Sequence, residues 1–166
     1  MTAEEHVSSF DEAKYRQVLG HYPTGVVVVT AVGEDGNPAG LAIGSFTSVS
    51  LDPPLVAFFP GKSSSSWPAI EAAGSFCVNI LGEDQEDICR VFASKGTDKF
   101  ATIGWRPGQT GAPVIDDVIA WIECTIERVD EAGDHFVVLG RVVDLELGHH
   151  GGPLVFFRGG YGRYEV

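Results

Sequence analysis

The chain has 166 residues, 44% of them hydrophobic and 20% charged, a globular composition long enough for one domain with a sizeable core and short for two. Acidic residues outnumber basic ones 23 to 11, and the formal charge of −12 has the wrong sign for a nucleic-acid binder or for an anionic membrane surface. No apolar run approaches the ~20 residues that span a bilayer, and the polar, acidic stretch Met1 to Glu12 resembles neither a signal nor a transit peptide, so the expected location is the cytoplasm.

In chain order, Ser9-Phe10-Asp11-Glu12 fits a capping box in which Ser9 opens a helix to about Leu19, with Gly20 ending it. The β-branched run Val26 to Val32 predicts a strand, and Glu34-Asp35-Gly36-Asn37 predicts a hairpin turn. A second strand is expected from near Ala39 through Leu41, Ile43, Phe46 and Val49, interrupted at Gly40 and Gly44 by a bulge or a close backbone approach. Leu51-Asp52-Pro53-Pro54 is a rigid corner, and Leu55 to Phe59 is a third, fully apolar strand. The polar loop Pro60 to Ser66 feeds a short helix, Trp67 to Ala73, closed by Gly74. Phe76 to Leu81 predicts a fourth strand and Glu83 to Phe92 a helix with its acids early. Phe100 to Asp116 reads as irregular, with Pro107, Gly108, Gly111 and Pro113. Two long strands follow, Val118 to Val129 and His135 to Leu147, joined by a turn at Ala132-Gly133-Asp134. After a loop at Gly148 to Gly152, Pro153 to Phe157 is a final strand.

Six or seven strands, mostly in hairpins, with three short helices and no βαβ alternation argue against a doubly wound sheet. The 21 glycines, nearly twice the usual ~7%, punctuate short apolar runs as tight turns do. The predicted fold is mainly β, a closed or nearly closed antiparallel barrel with peripheral helices, spanning residues 1–166 as one domain without internal repeats.

The chemistry-bearing motifs are sparse. There is no GxGxxG after a strand, no phosphate-loop GxxxxGK[ST], no GxSxG and no HExxH, so a nicotinamide would not sit in a Rossmann domain. Cys77, Cys89 and Cys124 are widely spaced without a CxxC and read as small buried hydrophobes in a reducing compartment. His149-His150 lies in a glycine-flanked loop and reads as solvated; adjacent histidines diverge on most backbones, so no metal site is expected.

Three features leave two readings each. Lys62-Ser63-Ser64-Ser65-Ser66 before a helix is either a linker with an ordinary cap or an anion site of hydroxyls, backbone N–H groups, a helix start and one lysine. Gly40 to Ser50, with Ser45, Thr47, Ser48 and Ser50 among apolar residues, is either an ordinary edge strand or a strand presenting N–H and C=O groups to a flat heteroaromatic ring. His135, after the Gly133-Asp134 turn, is either a hairpin histidine or a donor to a ligand phosphate or carboxamide.

Several segments, in order, resemble one family: Tyr22-Pro23-Thr24-Gly25-Val26, Gly44 to Val56, Lys62-Ser63-Ser64, Phe76 to Leu81, Lys99-Phe100 and Gly133-Asp134-His135. Together they are similar to the flavin reductase domain with the FMN-binding split-barrel fold, and most of all to the small reductase components of two-component flavin-dependent monooxygenases. The stretch Ser45 to Val56 is the specific part, and the resemblance covers roughly residues 10–164. Gly44 departs from it, since a slightly larger residue is expected there.

The resemblance implies a six- to seven-stranded antiparallel split barrel and an NAD(P)H-dependent flavin reductase. It uses exchangeable FAD or FMN, with FAD slightly favoured, and NADH ahead of NADPH. Hydride passes from the nicotinamide C4 to flavin N5, with no acid–base residue required. Gly44, Ser45, Phe46, Thr47 and Ser48 would hold the isoalloxazine edge. Lys62, Ser63, Ser64 and Ser65 would hold flavin phosphate with Trp67 alongside, and Asn79, Ala93, Ser94 and Lys99 would complete the flavin site. Pro23, Thr24 and His135 would face the nicotinamide, with Tyr161 and Tyr164 covering it. The implied partners are a separate monooxygenase and a second copy of the chain, which Pro153 to Phe157 would contact; neither nucleic acid nor membrane is among them. The alternatives are a pyridoxamine-phosphate-oxidase-like flavoenzyme, which should want a basic cluster that 11 basic residues hardly supply, and a non-catalytic flavin carrier or sensor.

Overall fold

A computed structural model describes residues 10–96 and 98–165. Its elements are α1 (Glu12–Leu19), β1 (Thr24–Gly25), β2 (Val27–Val32), β3 (Pro38–Ile43), β4 (Phe46–Ser50), β5 (Leu55–Phe58), α2 (Trp67–Ala73), β6 (Ser75–Ile80), α3 (Glu86–Ala93), β7 (Trp105–Pro107), β8 (Pro113–Ile115), β9 (Ala120–Ala132), β10 (His135–Leu147), β11 (Leu154–Phe157) and β12 (Gly160–Arg163).

Seven strands form one antiparallel sheet in the order β3-β2-β6-β9-β10-β5-β4, which curls into a mainly β split barrel. Two smaller sheets flank it, β1-β11-β12 and the hairpin β7-β8. β2 explains why its sequence is uniformly apolar instead of alternating. Val27, Val29 and Ala31 face one core with Phe58, Phe76 and Val138, while Val28 faces a second with Leu81, Cys89, Phe92 and Leu154. A strand buried on both faces has no polar side. The cavity side of the second core is closed by α3, which lays Cys89 and Phe92 against the β2-β3 pair.

Four expectations need correcting. Ser9 lies outside the described residues, and the cap of α1 is Asp11, whose carboxylate accepts a hydrogen bond from the Lys14 N–H at 3.0 Å. The single strand expected from Ala39 to Val49 is two strands at opposite ends of the sheet: the chain leaves β3 at Ile43, turns through Gly44-Ser45, and enters β4 on the far edge. These two edges are the split of the barrel. The segment Phe100 to Asp116 is not irregular throughout, because Pro107 and Pro113 close the β7-β8 hairpin. Its tip is pinned by the buried Glu123 carboxylate, which accepts from Gln109 N–H, Thr110 N–H and the Thr110 hydroxyl at 3.0, 2.9 and 2.7 Å. Finally, β1 and β12 were not expected; each is too short or glycine-rich to show periodicity. No helix among the described residues is long and apolar enough to cross a membrane.

Candidate active site

Two cavities exceed 500 Å³, and their charge separates them. One, about 520 Å³, is lined by Glu83, Asp84, Asp116 and Asp117 and by no lysine or arginine among the described residues. The other, about 570 Å³, opens at the split of the barrel and has Lys95 and Lys99 but no carboxylate in its described lining. In a chain of net charge −12 an acid-free cleft is a local exception, and Coulomb's law admits a phosphate-bearing ligand there and repels it from the first cavity. Size agrees, since ligand clefts usually span ~300–1,000 Å³.

The cleft has three walls. The exposed edge of β3, through Leu41, Ala42 and Ile43, makes an apolar floor whose outer row of backbone N–H and C=O groups has no neighbouring strand. Opposite stands the loop Phe59 to Ser66, and the end of α3 with Ala93, Ser94, Lys95 and Lys99 closes the third side. The loop is held by the β9-β10 turn: Lys62 N–H donates to Asp134 O and Phe136 N–H to Pro60 O, both at 2.9 Å. That stitching brings His135 to the rim beside Gly61. The His135 Nδ1 lies 2.7 Å from Asp134 Oδ1, and this bond holds the Asp134 carboxyl below its usual range.

Within the loop, Ser64 Oγ accepts from the N–H groups of Ser66 and Trp67 at 3.3 and 3.2 Å. Ser64 Oγ therefore satisfies the first N–H of α2 as an acceptor, and the loop's hydroxyl protons, those of Ser63 and Ser65 among them, remain to donate to an anion. Lys99 Nζ donates to Phe92 O at 2.9 Å and reaches Ser66 Oγ at 3.5 Å, and burial pushes its pKa below that of an ordinary lysine. A partly desolvated ammonium gains most from a facing anion.

A side chamber of about 160 Å³ shares Ala42, Ile43 and Ala93 with the cleft and adds Gly44, Cys89, Phe156 and Tyr161. Tyr161 lies 3.3 Å from Cys89 Sγ, and that hydrogen bond pushes its phenol pKa up to about 12. A Cβ at Gly44 would sit 2.8 Å from Thr24 Oγ1, so a larger residue there would have to displace the Thr24 hydroxyl. The Thr24 hydroxyl is itself buried without a partner, a donor awaiting an acceptor.

Of the residues singled out in the sequence, Ser45, Ser63, Ser64, Ser65, Ala93, Ser94, Lys99 and His135 line the cleft, and Gly44 and Tyr161 line its side chamber. Others lie elsewhere. Phe46 packs on the barrel core, and Thr47 and Ser48 are exposed on β4. Lys62 is outside the lining, paired with Glu131 at 3.4 Å. Asn79 spends its amide inside the protein, donating to Val28 O and Thr30 Oγ1 and accepting from Ile115 N–H. Trp67 is buried edge-on against Phe58. Pro23 and Tyr164 are exposed outside both chambers. Sequence reasoning missed Lys95, whose signal was its place beside Ser94 in a chain poor in cations; the β3 floor, Leu41 to Ile43, falls within the stretch Gly40 to Ser50 that the sequence offered as a platform for a flat ring.

Residues 19–165 match the model of a family described as flavin reductase like domain. A flavin reductase from Pseudomonas putida is 51% identical over 166 residues, covering 100% of this chain and 98% of that one. A reductase subunit of a flavin-dependent monooxygenase from Mycobacterium tuberculosis is 48% identical over 156 residues, 93% of this chain and 83% of its own. Among solved structures, an NADH:FAD oxidoreductase from Streptomyces globisporus superposes with a TM-score of 0.88 at 38% identity, covering 96% of this chain and 97% of that one.

Proposed function

The chain belongs to the flavin reductase like domain family, and from that premise we propose that it uses NADH to reduce an exchangeable flavin for a separate monooxygenase component. The observation that carries this reading is the acid-free cleft with Lys95 and Lys99 at the split of a −12 chain. The residues fit a flavin: a flat apolar floor, an open row of backbone groups on β3, loop hydroxyls and two cations.

The chemistry that bound flavin supplies is acceptance of a hydride from reduced nicotinamide. The protein's part is placement. Lys99 and Lys95 neutralise phosphate, and Ser63 and Ser65 donate to it; each charge-assisted hydrogen bond is worth ~1.5–3 kcal/mol. Ala42, Ile43 and Phe59 exclude water from the floor. His135 at the rim binds the nicotinamide nucleotide, and the Thr24 hydroxyl supplies a donor beside the side chamber. No residue is asked to move a proton during hydride transfer, so proximity and orientation account for the rate.

The reading extends to FAD ahead of FMN and NADH ahead of NADPH. The absence of arginine from the described cleft lining supports NADH, since a 2′-phosphate commonly takes one. It includes a single domain over the chain, a homodimer formed through the exposed Phe156 and Phe157 of β11, and a cytoplasmic location, for which three free buried thiols speak. The test is NADH consumption by purified protein with flavin titrated in. Turnover should require added FAD and saturate with it. A protein that retains flavin through dilution and never reduces free flavin would contradict the reading.

A further inference from the structure

At the tip of the β9-β10 hairpin, Asp134 Oδ1 lies 2.7 Å from His135 Nδ1, and that bond keeps the Asp134 carboxyl below its usual range and so ionised at neutral pH. An ionised carboxylate only accepts, which places the imidazole proton on Nδ1. The other charges at this rim are engaged elsewhere, the Lys62 ammonium pairing with Glu131 at 3.4 Å. The second ring nitrogen, Nε2, lies on the cleft side. It is 3.8 Å from where a Cβ on Gly61 would sit, and Gly61 and His135 both line the cleft. Among the described residues nothing hydrogen-bonds to Nε2. In the neutral ring that atom presents a lone pair, which accepts a hydrogen bond and repels a phosphate oxygen.

We propose that Asp134 is a positioning residue: it holds His135 in the Nδ1–H form, so that Nε2 accepts from a donor of the reduced nicotinamide nucleotide, its carboxamide amine or a ribose hydroxyl. The proposal rests on the reading of His135 as a nicotinamide contact. Packing gives the Asp134 carboxylate no other work. Its side chain is 96% exposed, so it fills no core, and Gly133, not Asp134, takes the positive φ of the turn, at 63°. Its charge alone would act in the opposite direction, because a carboxylate at the rim repels an anionic nucleotide. Removing Asp134 therefore weakens NADH binding if it positions His135 and strengthens it if only its charge is felt.

The experiment is steady-state kinetics at saturating flavin and about pH 8, above the ordinary imidazole range. It uses the unaltered protein, Asp134→Ala, His135→Ala and the double variant. Asp134→Ala should raise the KM of NADH by roughly 2- to 10-fold, the size of one lost hydrogen bond, with kcat, the flavin constant and the melting temperature unchanged. In the His135→Ala background the same substitution should raise the KM no further, because the residue it acts through is gone. The reduced 3-acetylpyridine analogue of NADH, which has no amide N–H, separates the two donors. If the amine is the donor, Asp134→Ala leaves the KM of that analogue unchanged; if a ribose hydroxyl is, the KM rises as it does for NADH. An unchanged or lower KM of NADH in Asp134→Ala, or a rise that persists where His135 is already alanine, would overturn the proposal. So would a lower melting temperature together with weaker flavin binding, since Asp134 would then brace the turn only. An unchanged KM in His135→Ala itself would defeat the nicotinamide reading of His135, and the proposal with it.

Discussion

Lys99 is the residue whose chemistry the site depends on most. Lys62 stands next to the serines in sequence, yet its ammonium is taken by Glu131, while Lys99 comes from beyond α3 and faces the cleft. Lys99→Gln should weaken flavin binding by roughly 10- to 150-fold, one lost charge-assisted bond, and Lys62→Gln should change it by less than about threefold. A fluorescence titration of both variants checks this. The sign of the pH effect follows from the same burial. With its pKa lowered, Lys99 sheds its proton at a lower pH than an ordinary lysine, and the proposed phosphate contact would depend on that proton. Flavin affinity should therefore fall as pH rises toward the lysine range, starting below the point where exposed lysines titrate, and Lys99→Gln should flatten the fall. The thiols behave oppositely. Burial pushes Cys89 up and Cys124 up to about 12, and Cys77 is raised as well. All three should resist iodoacetamide in the native protein at neutral pH and react once it is unfolded.

Among the elements, the long β9-β10 hairpin carries the fold and the β3-β4 break carries the site. β10 shifts register on β9 between Leu139 and Gly140. A Cβ at Gly140 would lie 2.5 Å from Phe76 Cζ and 3.0 Å from Cys124 Cβ, deep in the core. Gly140→Ala should destabilise the protein by about 1–3 kcal/mol, read as a lower melting temperature, with the FAD constant of the folded fraction unchanged. Element type was legible where composition was decisive: the β-branched run of β2, the Gly133-Asp134 turn and the close of α2 at Gly74 all appear where expected. The β3-β4 break was not legible, because the apolar residues continue through it and only the sheet order reveals that Gly44-Ser45 crosses from one edge to the other. Likewise Asn79 and Trp67 carried the right residue types for a ligand. Their burial within the protein depends on β6 packing against β8 and on α2 packing against the barrel, and no local pattern reports that.

For the molecule as a whole, the distribution of charge matters more than its total. Acids line one large cavity and are absent from the described lining of the other, and that contrast supports the proposed flavin cleft more sharply than any single motif. Long-range repulsion from −12 opposes anionic nucleotides until they reach the two lysines, so raising ionic strength should shrink the penalty of approach while it weakens the contact. The central claim, that this cleft holds the flavin to be reduced, is tested most directly by Ala93→Trp. Ala93 is exposed and lies on the wall shared by the cleft and its side chamber, so a large ring there blocks both without disturbing a core. The measurement is an FAD titration of this variant, with NADH consumption followed on the same samples. The account predicts an FAD constant weakened by about tenfold or more, with turnover at fixed FAD falling in step. An unchanged FAD constant in a variant that melts like the unaltered protein would contradict it.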